Sequence, residues 1–465
     1  MQSANQRICK SPKVRTPRLY NRGLELTIDK LIYGGDGLAH LPAEARPPRD
    51  GKGKAVFVPF VLPGERVDAT LRDEKPGFAR ARLNRVLQAA PERVAPACPH
   101  FGQCGGCHYQ HASYEHQLQI KSDIVRENLR RLAKLEFDGE IQVHPSQPWN
   151  YRNRTRMRVR TEPEFVIGYN RFAAHALLPV RECPISSPLI NRALTAIWSF
   201  GEAGKVPAGI AELEFFANAE DSELQLEVTL APHSSRELRG VADFARALRQ
   251  EFPAVAGVVP FQSSANASVI RVDIPDEFAA DFGRDFLVYR THDVNYRVSA
   301  GSFFQTNRFL IDEMVTLVAA DRDGGFALDL YAGVGLFSLP LSQNFRQVAA
   351  VESAPFSFHD LQVNAPSNVT GYRVDVQKFL AQVPPETRFD HVIVDPPRGG
   401  LGDKVAPMVA GLKAPQCTYV SCDPATLARD LRALTQGGWY RLFEIHLLDL
   451  FPQTFHIETV VRLER

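Results

Sequence analysis

A chain of 465 residues is too long for one ordinary hydrophobic core, and a prior of ~150 residues per domain predicts about three domains. Its net charge of +1 hides an asymmetry, since residues 1–90 hold 17 Lys and Arg against 9 Asp and Glu while residues 300–465 hold 14 against 18; a basic front end suits a polyanionic partner. No apolar run approaches the ~20 residues of a membrane span, the start lacks the apolar segment of a secretory signal, and seven cysteines argue against a disulfide framework, so a cytoplasmic protein without a membrane partner is expected.

Residues 1–15 are polar and basic and read as a disordered tail. From residue 24 to 86 the pattern is all β. Leu24-Glu-Leu-Thr-Ile28 alternates, Gly34-Gly-Asp-Gly37 turns, Ala55-Val-Phe-Val-Pro59 follows, and residues 65–69 and 79–87 supply further strands. Five short strands in about 70 residues predict a small OB-like barrel over residues 16–90, with residues 43–54, rich in Pro, Arg and Gly, as an extended loop. This stretch resembles the TRAM domain, an RNA-binding module of RNA-modifying enzymes.

Cys98-Pro-His-Phe-Gly-Gln-Cys-Gly-Gly-Cys107 is a C-x5-C-x2-C run. Thiolates this close, with glycines that let the backbone wrap inward, suit a metal centre. Cys183 is the remaining cysteine of the first half outside the tail, and a four-thiolate site closes there most simply. Ligand type alone leaves zinc and iron–sulfur both open. Residues 113–134 have helical spacing, with Leu118, Ile124, Val125, Leu129 and Leu132 on one side. Next, Arg152, Arg154, Arg156, Arg158 and Arg160 recur at every second position, which on a strand puts five guanidiniums on one face. They suit a phosphate track or, equally, ion pairs with Glu162 and Glu164. Residues 207–300 hold strand-like runs at 212–216, 224–230, 269–274 and 286–298 and no catalytic constellation; residues 91–299 are expected to form a central α+β domain.

From Gly301 the chain changes character, and residues 300–465 read as an α/β Rossmann-like domain. Phe326-Ala-Leu-Asp-Leu-Tyr-Ala-Gly-Val-Gly335 is a buried strand entering a glycine turn, and Val348-Ala-Ala-Val351 is a second strand ending in Glu352. Gly333 and Gly335 let a cofactor approach the backbone, and an acidic residue ~20 positions on suits ribose hydroxyls. Without the third glycine of a dinucleotide fingerprint, the turn leans towards S-adenosylmethionine over NAD. Phe389-Asp-His-Val-Ile-Val-Asp395 is another strand with an acidic end, and Thr418-Tyr-Val-Ser421 is the next, stopped by Asp423-Pro424 before a helix. Cys422 therefore stands at the carboxyl end of a strand, where open α/β sheets hold their ligands, while Cys417 points to the opposite edge. Residues 440–448 and 457–463 supply two last strands, expected as an antiparallel pair.

Ser302-Phe-Phe-Gln-Thr-Asn307, Asp329-Leu-Tyr-Ala-Gly-Val-Gly335, Asp395-Pro-Pro-Arg398, Ser421-Cys-Asp-Pro424 and His456-Ile-Glu458 occur in the order seen in RNA 5-methyluridine methyltransferases. With the barrel and the cysteine run, nearly the whole chain resembles the 23S ribosomal RNA members, which carry a TRAM domain and a [4Fe-4S] cluster; the transfer-RNA members usually lack both. The resemblance implies a central iron–sulfur domain with the cluster on Cys98, Cys104, Cys107 and Cys183. It also implies S-adenosylmethionine held by Gln305, Tyr331, Glu352, Asp375 and Asp395, with Gln305 touching the uracil, and Glu458 as the base. Leu336 and Asp423 depart from it, standing where many members have Asn or Thr and Asn.

Uracil C5 is too weak a nucleophile to take a methyl group unaided, whereas thiolate addition at C6 makes the ring an enolate whose C5 attacks a sulfonium methyl. Cys422 is the cysteine placed for this, and the C5 proton then needs a carboxylate. The expected substrate is single-stranded RNA with a flipped uridine, and the expected state is a monomer. The rival readings are amino-group methylation, which needs no thiol, 5-methylcytosine formation, and a non-catalytic iron–sulfur RNA binder.

Overall fold

The structure, a computed structural model, describes residues 23–41, 53–232, 238–263, 269–320 and 322–465. The expected basic tail and most of the loop at 43–54 lie outside the described residues. The chain divides into two compact units: one runs to residue 91 apart from residues 33–35, and the other joins those three residues to residues 92–465.

The first unit is one six-stranded sheet, in spatial order Leu24–Thr27, Arg66–Glu74, Phe78–Gln88, Ala55–Pro59, Asp36–His40 and Lys30–Leu31. Alternation does the work, as Val56, Val58, Val67, Ala69 and Ala79 turn inward with Leu26 and Ile28 to form its core. The expected glycine turn narrows to Gly34 and Gly35, with φ of +108° and +90°. Gly37 instead sits in a strand, where a Cβ would lie 2.3 Å from Val61 Cγ2.

In the second unit, helix Tyr114–Asn128 is capped by Ser113 and continues through a π-helical turn, Leu129–Ala133. A seven-stranded sheet follows, in the order Leu177–Pro179, Val166–Asn170, Arg154–Arg160, Ile210–Ala217, Leu224–Leu230, Val255–Ser263 and Val269–Arg271. Helix Leu238–Glu251 makes the crossover between its one parallel pair, Leu224–Leu230 and Val255–Ser263. The arginine series behaves differently from a five-membered phosphate face. Arg152 lies outside the strand, and Arg154 and Arg156 pair with Glu214, Glu227 and Glu212 rather than with Glu162 or Glu164.

The eight-stranded sheet runs Val369–Tyr372, Phe345–Val351, Gly324–Leu330, His391–Val394, Gln416–Ser421, Glu458–Glu464, Arg441–Leu448 and Ile141–His144. Its first five strands are parallel, and the four inside the edge strand Val369–Tyr372 end in residues buried on both faces, which is why they read as continuous apolar runs. The last two strands of the chain form the expected antiparallel pair. Strand Ile141–His144 joins this sheet beside Arg441–Leu448, so the sheet crosses the expected boundary at residue 299.

Candidate active site

The chain leaves Gly324–Leu330, adds two strands on one side, and returns to place His391–Val394 on the other. That reversal is a topological switch point, where ligands bind outside the carboxyl strand ends. The registers Leu330↔Val351, Leu330↔Val394, Val351↔Tyr372 and Ser421↔Thr459 align these ends along one sheet edge. Tyr331, Glu352, Asp395, Cys422 and Glu458 therefore share it.

The turn after the first strand is strained as a cofactor cradle requires. Tyr331 has φ +66°, Gly333 +56° and Gly335 +95°. A Cβ at Gly335 would lie 2.6 Å from Leu339 Cδ1, while one at Gly333 would meet nothing within 4 Å, so the backbone there faces open space. Glu352 accepts hydrogen bonds from Gly333 N (2.9 Å) and Ala354 N (2.6 Å), joining the second strand end to the turn. Asp375 caps helix Val376–Leu380 by accepting from Lys378 N, 3.2 Å. Burial, then the Asp375 and Asp430 charges, push the Tyr331 phenol up to about 12. Gln305 is buried in the segment after hairpin Phe286–Thr291/Val294–Ser299. Its neighbour Phe304 packs in the same apolar cluster as Ala332 and Val334 of the turn.

Continuing the register Ser421↔Thr459 by one step sets Cys422 opposite Glu458, the first residue of its strand. Residues opposed in this way have Cα atoms roughly 4.5–5.5 Å apart. Burial pushes the Cys422 thiol up to about 12, with the Glu458 and Asp395 charges adding to the effect and Arg398 opposing it. Burial, reinforced by Asp395 and again opposed by Arg398, holds Glu458 well above the usual carboxylate range. Asp395 is pushed up to about 8 by burial and by Asp329, itself raised to about 7 by burial and Glu352 against a hydrogen bond from Ser338. Asp423 accepts from Ala425 N (2.9 Å) and Thr426 N (3.0 Å) and so caps helix Pro424–Thr435, anchoring the thiol from the next residue.

Two partners escaped the sequence reading. Arg398 is the cation that opposes the carboxylates, and its guanidinium lies 3.4 Å from His456 Nδ1. Asp329 is a buried carboxyl coupled to Asp395 across adjacent strands. Both stood inside quoted motifs; the only available signal was a charged residue within a buried strand or just after one.

Cys98, Cys104, Cys107 and Cys183 line one cavity of about 270 Å³ together with Gln110, Arg152 and Tyr169. All four are free thiols. Burial foremost, then the Cys183 charge, raises Cys107 to about 12; Cys104 reaches about 11 by the same causes. Among the described residues no three or more His, Cys, Asp or Glu side chains are grouped to hold a metal ion. The fold gathers the four thiols around a common space.

Residues 113–465 match the family model described as tRNA (Uracil-5-)-methyltransferase, and residues 18–83 match that of the TRAM domain. An uncharacterized RNA methyltransferase of Aquifex aeolicus is 33% identical over 96% of this chain and 99% of its own length. The 23S rRNA (uracil(1939)-C(5))-methyltransferase RlmD of Alkalilimnicola ehrlichii is 31% identical over 97% of this chain and 98% of its own. Among solved structures, the Pyrococcus abyssi tRNA (uracil-54, C5)-methyltransferase in complex with S-adenosyl-L-homocysteine shares the fold, with a TM-score of 0.71 and 24% identity over 95% of this chain and 100% of that chain.

Proposed function

From the premise that this chain belongs to the tRNA (uracil-5-)-methyltransferase family, we propose that it forms 5-methyluridine in 23S ribosomal RNA with S-adenosylmethionine as donor. The observation that carries the reading is the opposition of Cys422 and Glu458 across adjacent strand ends at the switch-point edge. The relatives named as 23S rRNA enzymes, matched over nearly their whole length, favour ribosomal over transfer RNA.

The open backbone at Gly333 and the acidic strand ends fit the cofactor. Tyr331, Gly333, Gly335, Glu352, Asp375 and Asp395 would hold it, with Gln305 alongside; the Glu352 oxygens keep lone pairs beyond those given to the backbone. When bound, the cofactor supplies a sulfonium methyl and a positive charge. Every raised group here is an acid kept neutral by burial, and a cation in the crevice favours ionised Glu458, Asp395 and Cys422. The Cys422 thiolate would add to C6 of a flipped uridine, and the electron pair displaced onto the ring would make C5 the nucleophile; the methyl would reach it from the bound donor, whose C–S bonding pair stays on the departing sulfur. Glu458 removes the C5 proton, the electron pair re-forms the C5–C6 double bond, and the C6–S bond breaks to return the thiolate.

We further read the four-cysteine cavity as the seat of a [4Fe-4S] cluster on Cys98, Cys104, Cys107 and Cys183. The four thiols line one cavity of about 270 Å³, which has room for an inorganic group of several atoms. Nucleoside mapping of ribosomal RNA from cells with and without the protein tests the main reading. A 5-methyluridine that disappears with the protein is expected. Unchanged 23S RNA with loss of 5-methyluridine from transfer RNA would redirect it, and unchanged RNA altogether would overturn it.

A further inference from the structure

Residues 300–310 connect hairpin Phe286–Thr291/Val294–Ser299 to helix Ile311–Ala319 without belonging to either, so their path must be held from outside. Gly301 has φ +87°, and a Cβ there would lie 2.9 Å from Phe356 Cδ2, so the backbone passes through a narrow gap. On one side, Asp360 of helix Pro355–Asn364 accepts from Ser299 N (2.7 Å) and Ser302 Oγ (2.6 Å). On the other, the grip comes from the seven-stranded sheet. Glu227 accepts from Gly301 N at 2.8 Å, and Arg154 Nη1 donates to Ser302 O at 2.5 Å. Arg154 also donates to Glu227 at 3.1 Å, so cation and carboxylate hold adjacent residues as one unit.

Arg154 and Glu227 are nearly enclosed, with side chains 12% and 8% exposed. Glu214 accepts from Arg154 and, at 2.6 Å, from Arg156, which balances two cations with two carboxylates. The Arg154 guanidinium lies 5.0 Å over the Phe216 ring, and Phe216 packs against Phe304. Burying Arg154, Glu214 and Glu227 costs desolvation that their mutual attraction only partly returns. A phosphate track would leave the arginines facing solvent; Arg154 instead spends its donors on two carboxylates and one backbone oxygen, three residues before Gln305.

We propose that Arg154 and Glu227 are positioning residues for methyl transfer, clamping residues 301–302 so that Gln305 is carried to the crevice in its working place. This rests on the reading of Gln305 as a crevice residue given above. The central sheet then contributes to the chemical step as well as carrying exposed arginines such as Arg160.

The test is steady-state formation of 5-methyluridine by the full-length protein on an RNA fragment, with kcat and the RNA KM determined separately for Arg154→Met, Arg154→Lys and Glu227→Gln. A misplaced catalytic segment lowers turnover without weakening RNA capture, so Arg154→Met should lose about 10–100-fold in kcat with KM within twofold. Arg154→Lys should recover part of the loss, because an ammonium still reaches some of the same oxygens. Glu227→Gln keeps an acceptor for Gly301 N and the side-chain shape, so it carries the test should Arg154→Met fail to fold, and it should show the same split at smaller amplitude. A raised KM with unchanged kcat would make these residues part of an RNA-binding face and overturn the proposal, as would no change in either constant. Those results leave an active wild type and the functional reading intact; a wild-type protein that makes no 5-methyluridine removes both.

Discussion

Two places in the second unit set half-buried thiols beside other ionisable groups, and desolvation treats them alike, since Cys422 in the crevice and Cys107 in the four-cysteine cavity are both pushed up to about 12. Their neighbours differ. Cys422 faces Glu458, Asp395 and Asp423, with Arg398 as the opposing cation, whereas Cys107 faces Cys183 and Cys104, with Arg152 opposing. On the proposed reading, the thiol among carboxylates is ionised by a cation that comes and goes with each turnover, and the thiol among thiols by a metal that stays. What separates reactive from ligating sulfur is therefore the company in which its charge is neutralised.

The sharpest way to break that comparison is to remove one sulfur from each place. Cys422→Ala should lower 5-methyluridine formation by at least about 10⁴-fold, because the addition step has no substitute, while iron content stays unchanged. Retained activity would restore the amino-group reading. Glu458→Gln removes only the base, so a loss of about 10²–10⁴-fold is expected. The variant should also accumulate a covalent protein–RNA species that survives denaturing electrophoresis, because addition and methylation precede the missing proton transfer. Cys107→Ser should do the reverse of Cys422→Ala, abolishing bound iron and the broad absorption near ~400 nm expected of thiolate-ligated iron. A colourless wild-type protein with stoichiometric zinc would sink the cluster assignment.

The two places also part on the pH axis. Asp329 and Asp395 are raised from about 4 in the unfolded chain to about 7 and about 8 when folded without cofactor. A raised folded value means that the contribution to stability is complete below the unfolded value and is lost as pH climbs towards the folded one. Between pH ~4 and ~7 stability should thus fall by about 1.4 kcal/mol per pH unit for each fully titrating carboxyl. Cys104 and Cys107, raised from 9.0 to about 11 and about 12, lose theirs only above pH 9. Chemical denaturation of cofactor-free protein across pH 4–8 checks this, and added cofactor should flatten the slope. A flat profile without cofactor would show that the crevice carboxyls are already ionised.

The strand ends of the C-terminal sheet were legible because parallel strands buried on both faces leave continuous apolar runs, each stopped by its candidate residue: Tyr331 after Leu330, Glu352 after Val351, Asp395 after Val394, Cys422 after Ser421. The pairing of Cys422 with Glu458 was not readable from spacing, because it depends on a register between strands that only packing fixes, and resemblance had to suggest it. The arginine series misled for a related reason. Its alternation correctly gave a strand face, but the carboxylates it meets, Glu214 and Glu227, lie 60 and 73 residues downstream of Arg154. In and around the seven-stranded sheet, strand Val255–Ser263 and helices Pro188–Glu202 and Leu238–Glu251 stayed opaque because they carry no motif, only a core.

The smallest effect sharpens the comparison most finely. Asp423 directly follows the thiol, and the structure gives it two tasks, capping helix Pro424–Thr435 and adding negative charge near Cys422. Asp423→Ala should cost about 1 kcal/mol of stability through the lost cap, while Asp423→Asn, which keeps an acceptor oxygen, should cost less. Both remove the charge, so both should make the Cys422 thiol more acidic and speed its alkylation at pH 8, leaving the four cavity cysteines unaffected. Equal alkylation in all three proteins would mean that burial and Glu458 alone set that thiol, and that Asp423 serves only the helix.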